Sequence, residues 1–290
     1  MLCYNIEKHL WVQDFTQQGG RLNALLTEEN RDYYFNKREK VKGSVATEHY
    51  HGSFELYYMK EGRCSYFIGD RSYDVISGDI ILIPAGTIHR TNYNLRTHSR
   101  NLINFAPDFI SPEILAAAVE LGYLYSNKSI TSNIDAIFTL IENEYQKKDS
   151  LSLYALKTHT EQLLLLMIRN TNEKKKDSEG NSIVEKAVKH IRENYMNEVR
   201  LSAVARLMNV SAEHLSRLFK KETGFGFNEY LTLFRLQRAE YILVNEPGRA
   251  IGEIAYFCGF NDSNYFSYKF KQRYGVSPTK AREGIGTGAN

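Results

Sequence analysis

Two short stretches of this 290-residue chain carry side chains suited to reading DNA. On the first, Glu213, His214, Ser216, Arg217 and Lys220 are placed to share the outward side of one helix. On the second, Ser263, Asn264, Ser267, Tyr268 and Lys271 occupy the equivalent side. An arginine can donate two hydrogen bonds to the major-groove edge of guanine, and an asparagine can pair with adenine. Arg217 and Asn264 are therefore the candidates for base contact, and the lysines for contact with phosphate. The same residues would also serve as an ordinary solvated surface, so the elements that hold them must decide.

Those elements form a weak internal repeat. LSAVARLMNVSAEHLSRLFKKETG begins at Leu201 and IGEIAYFCGFNDSNYFSYKFKQRYG at Ile251. Ala205 matches Ala255, Val210 matches Phe260, Phe219 matches Phe270 and Gly224 matches Gly275. Each copy reads as a short helix, a tight turn and a second helix. In the first copy the spacing predicts helices over 202–208 and 212–223. Asn209 is at a turn that needs a left-handed backbone, and Ser211 at an N-cap. In the second copy Gly259 takes the turn, and Asn261 or Asp262 the cap. Leu215, Leu218 and Phe219, and in the second copy Phe266 and Phe270, are expected in the core. A helix over 228–244 lies between the copies. It would span roughly 25 Å, and with its flanking helices could set the two outward faces about one DNA turn, near 34 Å, apart.

The remainder of the chain divides by pattern. Phe54–Met59, Cys64–Ile68, Tyr73–Ile76 and Ile80–Ile83 are short apolar and aromatic runs separated by turn signals, as in an all-β sandwich or barrel. After Pro112 the period changes. Ile134, Ile137, Phe138, Ile141 and Tyr145 mark one amphipathic helix, and 153–168 a second that is apolar all round at Leu163–Ile168. These two predict an antiparallel hairpin that either packs on the β part or makes a dimer interface. NTNEKKKDSEGN, from Asn170, reads as a linker. Ser182 and Glu185 then form a capping-box pattern ahead of Val184, Val188 and Ile191. The expected layout is 1–110 β, 111–170 hairpin, 171–182 linker and 183–290 all-α, a multidomain α+β chain.

The formal charge of +3 is unevenly placed. Residues 181–290 hold 16 Lys and Arg against 11 Asp and Glu, a net +5 beside the repeat, while 1–180 are slightly acidic. No apolar run approaches the roughly 20 residues that span a bilayer. Residues 1–12 lack a charged segment followed by an apolar one, so no signal peptide is expected. The three cysteines, Cys3, Cys64 and Cys258, are far apart and fit reduced thiols in a cytoplasm. No phosphate-binding glycine loop, dinucleotide fingerprint or GxSxG turn is present.

Residues 183–282 resemble the DNA-binding domain of the AraC/XylS family of bacterial transcription regulators. The resemblance rests on the paired units, LSRLFKKETG with Phe227 and Tyr230 after it, RLQRAEYIL, and AIGEIAYFCGFNDSNYFSYKFKQRYGVSP. One departure is Ala281 before Arg282, where the family often has an aromatic residue. The resemblance implies promoter binding and, usually, activation through RNA polymerase. The N-terminal half resembles the cupin superfamily of jelly-roll barrels, through Gly43-x5-His49-x-His51-x3-Glu55-x6-Gly62 and Gly78-x5-Pro84-x-Gly86-x2-His89, with Asn92 one position early for the second motif. That resemblance implies a divalent metal at His49, His51, Glu55 and His89, a donor set suited to Fe, Mn, Ni or Zn. AraC-type sensor domains share this barrel and often bind a small organic effector instead. For such a ligand, a sugar or derivative by resemblance, the same four residues with Tyr57 and Tyr66 would be the lining, and residues 1–40 an arm or lid. Both occupants stay open, as does a metal-dependent enzyme or metal sensor fused to a DNA-binding domain. A DNA-alkylation repair protein would need a cluster of cysteines that three scattered ones do not supply.

Overall fold

The computed structural model describes residues 33–42, 52–93, 96–171 and 182–287. Eight strands precede most of the helices: β1 (Tyr33–Lys42), β2 (Phe54–Glu61), β3 (Arg63–Ile68), β4 (Arg71–Ile76), β5 (Asp79–Ile83), β6 (His89–Asn92), β7 (Thr97–Phe105) and β8 (Leu124–Ser126). They make two sheets, β1-β7-β2-β5-β8 and β4-β3-β6. The barrel expected from sequence is thus seen as two facing sheets.

Strand β2 shows why they face each other. Its side chains alternate between the two sides of the sheet, and both sides are covered. Phe54, Leu56 and Tyr58 pack beneath helices, whereas Tyr57 and Met59 join Cys64, Tyr66, Ile68, Val75, Ile81 and Ile83 in a core between the sheets. A strand buried on both faces reads as a nearly continuous apolar run, and FELYYM does.

Helix α1 (Pro112–Val119) starts on a proline, whose fixed φ suits the first turn. Helices α2 (Thr131–Lys147) and α3 (Ser152–Arg169) are the hairpin, joined through Lys148 in the left-handed region. Ile134, Ile137, Phe138 and Ile141 of α2 are buried against the sheet core, with Tyr145 partly buried beside them. The segment 111–170 is more than a hairpin, because β8 within it pairs with β5. Residues 33–40, expected in an arm or lid, are instead most of β1, paired antiparallel with β7. Strands β1, β6, β7 and β8 escaped the sequence reading.

The C-terminal part is all helical: α4 (Ile183–Asn194), α5 (Leu201–Leu207), α6 (Ala212–Thr223), α7 (Phe227–Asn245), α8 (Ile251–Phe257), α9 (Ser263–Tyr274) and α10 (Pro278–Thr287). The capping box at Ser182 and Glu185 forms as the sequence implies. Helix α7 is buried on most sides and is the axis on which both repeat units pack. Ala281 fills its place in that core as a small side chain.

Candidate functional site

The two helix-turn-helix units use the same local chemistry. Asn209 and Gly259 both take positive φ, +55° and +84°, at the turn. One residue later, the Val210 and Phe260 amides donate to the Ala205 and Ala255 carbonyls, each at 3.0 Å. Ser211 caps α6 by accepting from the His214 amide at 3.1 Å. Asp262, of the two sequence candidates, caps α9 by accepting from the Asn264 and Tyr265 amides at 2.6 and 2.9 Å. Both helices are 12 residues long and end on a left-handed glycine, Gly224 and Gly275. Leu215, Phe219, Phe266 and Phe270 are fully buried. Leu218, expected with them, is only partly buried at the edge of the core.

The outward faces hold the side chains read from sequence. Glu213, Arg217 and Lys220 are exposed on α6, with His214 and Ser216 half-buried beside them. Arg217 Nη2 lies 3.3 Å from His214 Nδ1. Glu213 sits at the helix start, where backbone and Ser211 hydrogen bonds hold its carboxyl below the usual range; as an anion it can accept from cytosine but repels phosphate. On α9, Asn264, Tyr268 and Lys271 are exposed, and Ser263 and Ser267 half-buried. Sequence reasoning passed over Tyr265, about half exposed, and Lys269, whose ammonium lies over both the Tyr265 and Tyr268 rings. The i, i+3 and i, i+4 spacing of these residues was the available signal.

One further residue ties the units together. Arg235 of α7 donates from Nε to the Tyr195 carbonyl and from Nη2 to that of Asn197, both at 2.8 Å. The same guanidinium lies over the Phe260 ring beside the second turn. A Cβ at Gly259 would stand 2.3 Å from the Tyr195 oxygen and 2.9 Å from Arg235 Nε, so only glycine fits there.

Between the sheets lies a second polar group. Glu55, Tyr66 and His89, far apart in sequence, converge there: Tyr66 donates to Glu55 Oε1 at 2.8 Å, and His89 Nε2 is 3.6 Å from Glu55 Oε2. His89 Nδ1 contacts the Thr87 carbonyl at 2.7 Å, which orients the ring. Burial lowers the imidazole, but Glu55 and the Thr87 carbonyl outweigh it and hold it above its ordinary value. Burial also raises Tyr66, and Glu55 raises it further. Tyr57 packs edge-on against Tyr66 and donates to the Tyr93 hydroxyl at 3.4 Å. His49 and His51 lie outside the described residues. The described part of the implied metal set is thus one imidazole and one carboxylate. No three His, Cys, Asp or Glu side chains converge among the described residues.

The two regions meet through α7. The Tyr230 hydroxyl donates to the Gly69 carbonyl at 2.8 Å, and Gln237 Nε2 to the Gly86 carbonyl at 2.7 Å. Gly86 opens the loop that carries Thr87 and then His89.

Paired helix-turn-helix units on one central helix, each exposing a basic and polar face, define a DNA-binding protein. Two family models match the chain, an AraC-like ligand binding domain over residues 39–159 and a helix-turn-helix domain over 204–284. The chain belongs to the AraC family of transcription regulators. It is 26% identical to the Msm operon regulatory protein of Streptococcus mutans, over 80% of this chain and 85% of that one. It is 24% identical to the HTH-type transcriptional activator RhaS of Shigella sonnei, over 82% and 87%. Among solved structures it is similar to the C-terminal domain of AraT, a response regulator from Geobacillus stearothermophilus, at 35% identity and a TM-score of 0.35, covering 37% of this chain and 88% of that one.

Proposed function

We propose that this protein is a cytoplasmic, sequence-specific activator of transcription whose promoter affinity responds to a small polar effector held between its two N-terminal sheets. The observation that carries this reading is the repeated unit with matched turn, cap and C-terminal glycine at both copies. Chance does not build the same 12-residue helix twice around one buried axis. Helices α6 and α9 enter consecutive major-groove segments of double-stranded DNA, with Arg217 and Asn264 on base edges and Lys220 and Lys271 on phosphates. The effector lies against Glu55, Tyr57, Tyr66 and His89, with His49 and His51 assigned to the same site. It acts through its different affinity for two arrangements of the loop after Gly86 and α7. A sugar or sugar derivative fits the carboxylate, imidazole and phenol groups as hydrogen-bond partners.

The hairpin carries the homodimer contact. Leu140, Leu151, Leu153 and Tyr154 are between 44% and 72% exposed on or beside α2 and α3, an apolar patch that a second subunit would cover. RNA polymerase is the partner at the promoter. The protein is a regulator and not an enzyme; the family match supports this.

The test is selection of bound sequences from random duplex by the full chain, followed by anisotropy at fixed salt. A selected site should bind at least 100-fold tighter than random duplex, and Arg217→Ala should erase preference at one base pair. Equal affinity for selected and random DNA would refute the reading. Metal analysis of the purified protein settles the runner-up: stoichiometric metal, lost in His51→Ala together with turnover of a compound, would make it a metal-dependent cupin enzyme or sensor.

A further inference from the structure

The inward side of β7 carries a second polar patch that the Glu55–His89 pair does not use. Register fixes which side chains share it. Arg100 lies opposite Met59 on one neighbour and Arg38 on the other, and Leu102 opposite Tyr57 and Asn36. Met59 and Tyr57 belong to the core between the sheets, so Arg100, Arg38 and Asn36 share the side facing it. His98, two residues before Arg100, stacks on Tyr93 of the same core with ring centroids 3.8 Å apart.

Their hydrogen bonding is incomplete. Arg100 is only 6% exposed and His98 1%. Arg100 Nη1 donates to the Asn36 carbonyl at 2.8 Å and the guanidinium also meets the Tyr93 hydroxyl, but Arg100 Nε has no partner among the described residues, and no carboxylate pairs with this guanidinium there. The Asn36 side-chain oxygen is likewise without a partner among the described residues, whereas the His98 imidazole has the Arg96 and Val41 backbone beside it. Burying a cation without a counter-ion is costly, and native structures pair nearly all their buried polar atoms. Two such atoms, Arg100 Nε and Asn36 Oδ1, share this patch and are open to a partner from elsewhere.

The patch is reachable. Strand β1 is the edge of its sheet. On its hairpin side Tyr33 and Phe35 are buried, but on the inward side Tyr34 is 38% exposed and Arg38 is exposed. The two polar groups are also complementary along β2. Glu55 and Met59 stand four residues apart, about 13 Å of strand, with the Glu55 carboxylate at one end and the Arg100 guanidinium, which has no carboxylate partner among the described residues, at the other. A carboxylate is excluded from the first and matched by the second.

We infer that Arg100, His98 and Asn36, with Arg38 at the rim, recognise the carboxylate of the effector, whose hydroxyl groups point toward Glu55, Tyr66 and His89. The effector class is a sugar acid or polyhydroxy acid, not a neutral sugar. This rests on the N-terminal half being the sensor.

The experiment is a thermal-shift and calorimetric titration of the full chain with matched pairs at constant ionic strength: galacturonate and galactose, glucuronate and glucose, gluconate and sorbitol. At least one acid should raise the Tm, and its neutral partner should not. Arg100→Met should weaken that acid roughly 10- to 100-fold. The free R100M protein should melt roughly 2–4 °C above the wild type, since an uncompensated charge is removed. Arg100→Lys keeps the charge, so it should retain part of the binding, and it carries the test if R100M does not fold. A neutral sugar that binds as well as its acid, or acid binding unchanged by these substitutions, overturns the carboxylate site and leaves the sensor reading standing. No response to any of the six compounds overturns both.

Discussion

The two halves of this chain handle polar side chains in opposite ways. In the helical half the core is mainly apolar, its buried carboxylate, Glu240, held by the Tyr274 hydroxyl at 2.7 Å, and the residues offered to a partner stand outside it on α6 and α9, each helix fixed by a cap at one end and a glycine at the other. In the sheet half, a glutamate, two histidines, an arginine and several tyrosines lie inside, some with atoms unpaired among the described residues. The contrast fits where each proposed partner would sit. DNA is too large to be enclosed, so it is met by a rigid outer face. A small molecule is enclosed, so the groups that would greet it are buried before it arrives.

This contrast predicts where substitutions act. The largest effect is at the second turn. Gly259→Ala must both strain a left-handed backbone and push into the Tyr195 carbonyl, so stability should fall by about 3 kcal/mol or more, read as Tm. Gly275→Ala, equally left-handed but with nothing within 4 Å of the added atom, should lose only about 1 kcal/mol. Equal losses would mean that Gly259 is not the fixed point between the units. Next comes Arg217→Ala, which should cost about 1–3 kcal/mol of specific DNA affinity with Tm unchanged. A drop in Tm of several degrees would move Arg217 from the partner face to the core.

Smaller effects lie where the halves meet and inside the sensor. Gln237→Ala removes the donor to Gly86, which should lower Tm by roughly 2–4 °C and weaken the influence of an effector on DNA affinity. If the influence is undiminished, α7 does not carry it. The smallest concerns acid. Burial holds the His98 imidazole below its ordinary value. The unfolded chain therefore takes up this proton at a higher pH than the folded one, and stability declines as pH falls from the unfolded pKa, about 6.5, toward the folded one. His98→Gln should flatten that decline, measured by denaturant unfolding between pH 7 and 5. An unchanged slope would place the titration elsewhere.

The helical half was legible in the sequence because its signals are local. Asn209, Ser211, Gly224 and their second-copy equivalents each act within a few residues, and a cap or a left-handed turn works the same way wherever it occurs. What could not be read there was Arg235, whose acceptors at Tyr195 and Asn197 are some 40 residues away. The sheet half was legible only in its runs. Strands β2 to β5 announce themselves by apolar alternation and turns. Strand β7, THSRNLINF, reads as polar because its inward side carries the buried His98 and Arg100, so the pattern that marks a core strand is broken there. Glu55 and His89 were named from motif spacing and Tyr66 only as an addition to the lining; their convergence depends on pairing between sheets, which no local signal encodes. Arg100 and His98 were missed for the same reason.

The central claim is that α6 and α9 of one chain read two successive major-groove segments. Hydroxyl-radical and base-methylation footprinting of the full chain on its selected duplex tests this directly. Two protected major-groove segments per subunit are expected, about 10 base pairs apart on one face, with the first abolished by Arg217→Ala and the second by Asn264→Ala. Protection of a single segment, or a footprint that neither substitution changes, would contradict it.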